Sequence, residues 1–320
     1  MLQKTTYNNL DHVKMSMNKE KFFGILKSHF FKNNGRPDFI LPRKPLNIKQ
    51  FEYKESLVWL GHSTILLRIN GVTLIVDPML SQRASPLSWV GPKRFEGSMI
   101  SYDELPMIDL VVITHNHYDH LDKTTLQSIH KNVKRFFIPK GNRSILQQWG
   151  IDPEKIVEFT WFESQNFENI EFVFCPTQHF SGRTLTDRDR SLWGSWVIKT
   201  QTRNLYISGD SGYHHHFKTI GDLYGPFDIA CIECGAYNDH WQEVHMTPEQ
   251  SVQAAIDLRT KIMMPIHWGG FDLSTHPWDE PITRALQKAY DVNLPLTTPM
   301  IGEILSFEDL IKNDQWWLKT

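Results

Sequence analysis

The chain has 320 residues, 40% hydrophobic and 22% charged, with a net charge of −2. That suits one large domain or two modest ones and implies no general attraction to nucleic acid or to an anionic membrane. Three cysteines, Cys175, Cys231 and Cys234, are too few and too unevenly spaced for a disulfide framework. The amino terminus, MLQKTTYNNLDHVKM, lacks the apolar core of a signal peptide, and no run approaches ~18 apolar residues; a cytoplasmic protein without a membrane span is expected.

In chain order, residues 1–54 read as an accessory segment packed on or beside the core, and 55–320 as the main domain. KEKFFGILKSHFFKNNG places Phe22, Ile25, Leu26, His29 and Phe30 at helical spacing with lysines between them. That stripe suits a helix clasping the core or one lying at a membrane interface with Lys21, Lys27 and Lys32 toward headgroups. NNGRPDFILPRKP follows as an irregular strap punctuated by Gly and Pro. From Leu57 the texture turns to short β-rich runs, LVWLG, TILLRI and VTLIVD, with Asn70-Gly71 signalling a tight hairpin between the last two.

DLVVITH, a helix over about 123–131, RFFIP and a helix over about 142–149 come next. They are followed by the strand runs IEFVFCP, SWVIKT, NLYISGD and FDIACIE. TPEQSVQAAIDLR predicts a well-marked helix: Thr247 caps it, Pro248 suits its first position and Gln250 completes a capping box. KIMMPIH is one more apolar strand. Eleven tryptophans and nineteen phenylalanines predict a large aromatic core or an aromatic-lined pocket.

The chemistry concentrates in VVITHNHYDHLD, residues 111–122, where histidines and aspartates follow a strand directly. These side chains bind borderline divalent metals. Four apolar runs deliver such groups at or just past their ends: DLVVIT gives His115, His117, Asp119 and His120; FVFCPTQ gives His179; LYISG gives Asp210; and IMMPI gives His267. One zinc takes about four ligands, so seven, with one carboxylate bridging, fit two divalent metals. His115 and His117 point the same way in an extended segment. The turn that follows re-aims Asp119 and lets His120 join it on a second metal. Asp122 falls where a helix N-cap belongs. The triplet His214-His215-His216 reads as loop, because adjacent side chains diverge and at most one can line the site. Cys231-Ile-Glu-Cys234 has redox-pair spacing but sits on a strand-like run, so buried reduced thiols are expected. Trp268 either walls the pocket or packs in the core.

His115-x-His117-x-Asp119-His120, with distant His179, Asp210 and His267, resembles the metallo-β-lactamase superfamily. That resemblance implies an α/β fold, a four-layer αβ/βα sandwich with a binuclear centre at the rim of its two sheets. Carried over by position, His115, His117 and His179 would bind the first metal. Asp119, His120 and His267 would bind the second, and Asp210 would bridge both. A narrower likeness runs from about Ser56 to about Leu305. DPMLSQRASPLSWVGPKRF, TQHFSGRTLTD, SGDSGYH, GAYNDHWQEVHMTPEQSV and PIHWGGF are similar to the N-acylphosphatidylethanolamine-hydrolysing phospholipase D family.

This implies a phosphodiesterase acting on N-acylated ethanolamine lipids. Two ions bridging a hydroxide would supply the nucleophile, and Asp119, Asp210 and His245 would form the catalytic set. His245 matches a family position near the metals and would support the leaving alkoxide. Zinc is the expected metal, with iron and manganese also suited. The expected partners are a lipid or other small phosphodiester and a membrane touched peripherally at its inner surface, with a homodimer as a further option and no nucleic acid. A lactonase or other carboxylic-ester hydrolase keeps the same fold, and a closed, non-catalytic metal site is a third reading.

Overall fold

Asn70 and Gly71, at φ +48° and +74°, turn the chain between β2 (Ile65–Ile69) and β3 (Val72–Val76). This is the hairpin expected of two residues that tolerate left-handed backbone. The protein, seen here as a computed structural model, is described over residues 5–11, 35–184 and 186–319. β1 (Ser56–Trp59), β4 (Leu110–Val112), β5 (Arg135–Pro139), β6 (Ile156–Phe159) and β13 (Ile304–Ser306) join that hairpin in a seven-stranded sheet, ordered β13-β1-β2-β3-β4-β5-β6. The second sheet has six strands in the order β12-β11-β10-β9-β8-β7. They are β7 (Ser164–Phe167), β8 (Ile170–Cys175), β9 (Ser195–Lys199), β10 (Asn204–Ile207), β11 (Ile229–Glu233) and β12 (Met263–Ile266).

Strand direction explains why polar groups gather at one rim. β1 and β3 are each antiparallel to β2, and β4 is parallel to β3, so β1, β3 and β4 share one sense. By the same reasoning β8, β10, β11 and β12 share one sense in the second sheet. Loops leaving the carboxyl ends of such strands converge on a common crevice.

The core lies between the sheets. Phe137 of β5 meets Phe159 of β6 at 4.9 Å and Phe172 of β8 at 5.2 Å between ring centroids, and Phe159 meets Trp196 of β9 at 4.9 Å. All four are essentially buried, so the core reading of the aromatic content holds for them. Among the described residues the α-helices are α1 (Ile48–Tyr53), α2 (Lys123–Ile129), α3 (Arg143–Gln148), α4 (His216–Tyr224), α5 (Pro248–Asp257) and α6 (Glu280–Asp291). α5 carries the expected capping box, with Gln250 N donating to the Thr247 side chain, and it packs on β11, α4 and α6.

Several strands and helices escape the sequence pattern for local reasons. β7, SQNF, is polar and exposed along most of its length, and β13 is three residues long. α4 starts inside the histidine triplet and carries Gly221, and α6 follows Pro277 and has Pro281 in its own first turn. β6, half-buried at its centre, follows the proline-started turn at Pro153 and escapes as well.

The strap after residue 35 lies on the main domain. Leu41 N donates to Glu96 O at 2.9 Å and Lys44 N to Ile301 O at 2.8 Å, while Leu41, Leu46 and Phe51 are buried. The helical stripe of Phe22, Ile25, Leu26 and Phe30 lies outside the described residues. No described helix is long and apolar enough to cross a membrane.

Candidate metal centre

β4 ends at Val112, and the loop after it brings His115 Nε2 within 2.9 Å of His117 Nδ1. His179, from the loop after β8, places its Nε2 3.2 Å from the same His117 nitrogen. Asp210, just past β10, puts Oδ2 3.7 Å from His115 Nε2 and 3.8 Å from His179 Nε2. Four ligand-type atoms thus face one another, a group able to hold a metal ion. Beside it stands a second such group: His62, Asp119, His120 and His267. Asp119 Oδ2 lies 3.0 Å from His62 Nε2, 3.6 Å from His120 Nε2 and 3.3 Å from His267 Nε2. Asp210 reaches this group too, with Oδ1 3.2 Å from His120 Nε2 and Oδ2 3.1 Å from His267 Nε2. All seven residues singled out in the sequence therefore come together, and Asp210 stands between the two sets.

His62 is an eighth member that the sequence pattern misses. It follows β1 in the run LGHST, at φ +53°, and is buried. His267, at φ +65°, donates its backbone N–H to His62 O at 2.9 Å, which ties the first sheet's loop to the end of β12. Left-handed backbone at two non-glycine residues costs roughly 1–3 kcal/mol each, and such strain clusters at functional sites.

Groups behind the ring nitrogens set the tautomers. The Thr114 hydroxyl donates to Asp77 Oδ2 at 2.6 Å, so its oxygen is left to accept from His115 Nδ1 at 3.0 Å. His120 Nδ1 donates to Asp77 Oδ2 at 2.7 Å, and His179 Nδ1 donates to Val244 O at 3.0 Å. In each case Nε2 keeps its lone pair toward the centre, the arrangement that orients a ligating imidazole. Asp77, the last residue of the VTLIVD run, is the carboxylate that serves two of these rings.

The electrostatics fit bound cations. Burial holds His115 and His179 well below the usual histidine range and brings His117 down to about 4, so these rings are neutral at pH 7, the form a metal takes as ligand. Burial pushes His120 and His267 the same way, but Asp210 and Asp119 outweigh it, lifting His120 well up and His267 to about 10. The two carboxylates thus call for positive charge at this spot, which a divalent ion supplies as well as a ring proton does. His120 Nε2, His267 Nε2 and Asp210 Oδ1 are buried without a hydrogen bond of good geometry, although charge partners lie close. Buried polar atoms left this way call for a ligand.

His245 sits against the same centre, grouped with Asp210 and His267. Its Nδ1 lies 3.3 Å from Glu233 Oε2, at the end of β11. Glu233 is fully buried, and burial raises its carboxyl above the usual range while His245 pulls it back. Its second oxygen accepts the backbone N–H groups of Ser211 at 3.3 Å and Met246 at 3.0 Å.

The other conspicuous residues lie elsewhere. Asp122 caps α2 through Thr124 N and Thr125 N and also accepts the Ser81 hydroxyl at 2.6 Å. None of the triplet enters the centre: His214 and His215 face Asp11, and His216 begins α4, buried against Ser211. Cys231 and Cys234 are buried free thiols, and burial raises both. Trp268 stacks on Trp59 at 5.4 Å and on Trp316 at 5.3 Å, a core position.

Residues 73–268 match the Beta-lactamase superfamily domain, and the chain belongs to that superfamily. It is 37% identical over 288 residues to an uncharacterized protein of Mycobacterium tuberculosis, across 88% of this chain and 77% of that one. It is 33% identical over 253 residues to N-acyl-phosphatidylethanolamine-hydrolyzing phospholipase D 1 of Caenorhabditis elegans, across 74% of this chain and 71% of that one. A metallo hydrolase from the archaeon Ignicoccus hospitalis superposes with a TM-score of 0.60 at 22% identity, covering 79% of this chain and 97% of the other. The fold is the metallo-β-lactamase fold, and the chain is a metal-dependent hydrolase with histidine–aspartate clusters able to hold metal ions.

Proposed function

We propose that this hydrolase is a binuclear phosphodiesterase of phospholipase D type, acting on N-acylphosphatidylethanolamine-like lipids. The observation that carries the reading is the pair of histidine–carboxylate groups sharing Asp210, with His245 against them. His115, His117 and His179 would hold one divalent ion, Asp119, His120 and His267 the other, and Asp210 both, with zinc the metal of choice for such ligands. When bound, such ions supply Lewis acidity and make water nucleophilic near neutral pH.

The chain's own residues do the rest. Asp119 and Asp210 neutralise and space the cationic centre. His245, its Nδ1 engaged by Glu233, offers its other nitrogen as the proton source for the departing alcohol oxygen. The oxygen of water bonds to phosphorus as the P–O bond on the N-acylethanolamine side breaks, so the alcohol leaves with that proton and the water oxygen stays on the phosphate monoester. Similarity to the Caenorhabditis elegans enzyme supports the lipid class. Residues 55–320 form the hydrolase domain in this reading, and 1–54 serve it as an accessory segment.

The test is a substrate panel on metal-replete protein: bis-p-nitrophenyl phosphate and N-acylphosphatidylethanolamine against homoserine lactones. Turnover of both diesters, abolished by Asp210→Ala, is expected. Lactone hydrolysis with neither diester turned over would overturn the proposal in favour of acyl chemistry.

A further inference from the structure

Within the histidine triplet, two rings share one distant carboxylate. Asp11 Oδ2 lies 3.2 Å from His214 Nδ1 and also 3.2 Å from His215 Nδ1, and the two imidazole centroids are 4.4 Å apart. Consecutive side chains of an extended strand diverge. Here the turn that enters α4 swings both rings to one side, while His216 goes inward to Ser211. Two imidazole nitrogens and a carboxylate oxygen from a distant segment thus form a further group able to hold a metal ion, sharing no residue with those at the centre. All three residues are partly exposed, which leaves water to complete a tetrahedral shell.

The segment that supplies Asp11 is bound to the centre itself. Two residues earlier, Asn9 Oδ1 accepts His179 N at 3.1 Å and Trp193 Nε1 at 3.0 Å, and Asn9 Nδ2 donates to His179 O at 3.0 Å. Asn9 is buried, and Tyr7 N donates to Asp189 O at 2.8 Å. Residues 7–11 therefore clamp the backbone of a residue that faces the central group, and Asp11 is the outer end of the clamp.

We propose that Asp11, His214 and His215 form a separate transition-metal site that latches residues 5–11 onto the start of α4, and so steadies the backbone of His179. Imidazole and carboxylate together suit zinc, nickel or copper(II). Such a site, absent from the unfolded chain, couples ion binding to the ordering of the segment it joins. The three ligating residues lie outside the proposed catalytic centre, so the site stands independently of that reading; only the steadying of His179 touches it.

The test uses zinc alone on the full chain, dialysed against micromolar buffered zinc and counted by elemental analysis. His214→Ala/His215→Ala should retain one zinc fewer per chain than wild type, and Asp11→Ala should match it from the other side of the site. Asp210→Ala should keep the outer ion, so loss of the inner ions leaves this difference readable. Equal zinc counts in wild type and both outer variants would overturn the site. Hydrogen exchange at the Tyr7 amide should slow on adding zinc in wild type and stay constant in the double-histidine variant. Zinc-independent exchange there would overturn the latch.

Discussion

Glu233 Oε2 stands 3.3 Å from His245 Nδ1, and the other oxygen of the same carboxylate is held by two backbone amides. A carboxylate fixed from behind fixes the ring in front of it, so Glu233 acts as a positioning residue for His245. His245→Ala should retain its metals and lose about 10²–10⁴-fold in kcat, the usual size of a general-acid effect. The loss should shrink for nitrophenolate leaving groups, which need little protonation. Glu233→Gln should show a smaller loss with the same leaving-group dependence and an unchanged KM. Equal losses across all leaving groups would assign both residues to folding alone.

Asp210 approaches histidines of both groups, at 3.1 to 3.8 Å. Asp210→Ala should release or disorder at least one ion, and elemental analysis of purified protein reads this directly. An unchanged metal count would remove Asp210 from its shared role.

His62 contacts Asp119 at 3.0 Å and lies near His267, with ring centroids 4.3 Å apart. Its neighbours belong to the second group, so its removal acts there. His62→Ala should weaken that group's ion by about 10–100-fold, as loss of an outer partner usually does, and leave the other ion's affinity intact. Competition with a chromophoric chelator measures both affinities. Two unchanged affinities would reduce His62 to packing.

Metal removal should lower the melting temperature, because the two groups exist only in the folded chain. An ion present at 100 times its dissociation constant stabilises the native state by about 2.7 kcal/mol. Calorimetry before and after chelation checks this, and coincident transitions would count against tight binding.

Cys175, Cys231 and Cys234 are buried, and burial raises all three thiols above their ordinary range. At pH 8 the native protein should resist a disulfide-exchange reagent, and the unfolded chain should react at all three. Fast labelling of native protein would mean that β8 or β11 opens readily.

The clustered histidines and aspartates are legible in the sequence because their residue types are rare in clusters and each set follows an apolar strand. His115, His117, Asp119 and His120 declare themselves in a single loop, and strand ends flag His179, Asp210 and His267. Asp77, Glu233 and His62 carry no comparable signal. Asp77 and Glu233 each close an apolar run as a lone carboxylate, which reads equally well as a strand end meeting solvent. His62 is a single histidine in LGHST, and its neighbours Asp119 and His267 appear only once the loops of the two sheets are brought together. Their roles depend on which loops share a rim, and that follows from strand order, which periodicity does not encode. The histidine triplet shows the converse. Its clustering is conspicuous in sequence, yet its partner Asp11 lies some two hundred residues away along the chain.

The division of ligands between the two sheets has a consequence for biosynthesis. His62, His115, His117, Asp119 and His120 leave the ribosome just after β1 and β4 of the first sheet, whereas His179, Asp210 and His267 arrive with strands of the second. A nascent chain that ends before β10 holds neither complete set, because Asp210 reaches both. One that ends before β12 still lacks His267, so the second set closes last. On the proposed ligand assignment, the first set would therefore be complete once the residues after β10 are made and the second only once those after β12 are.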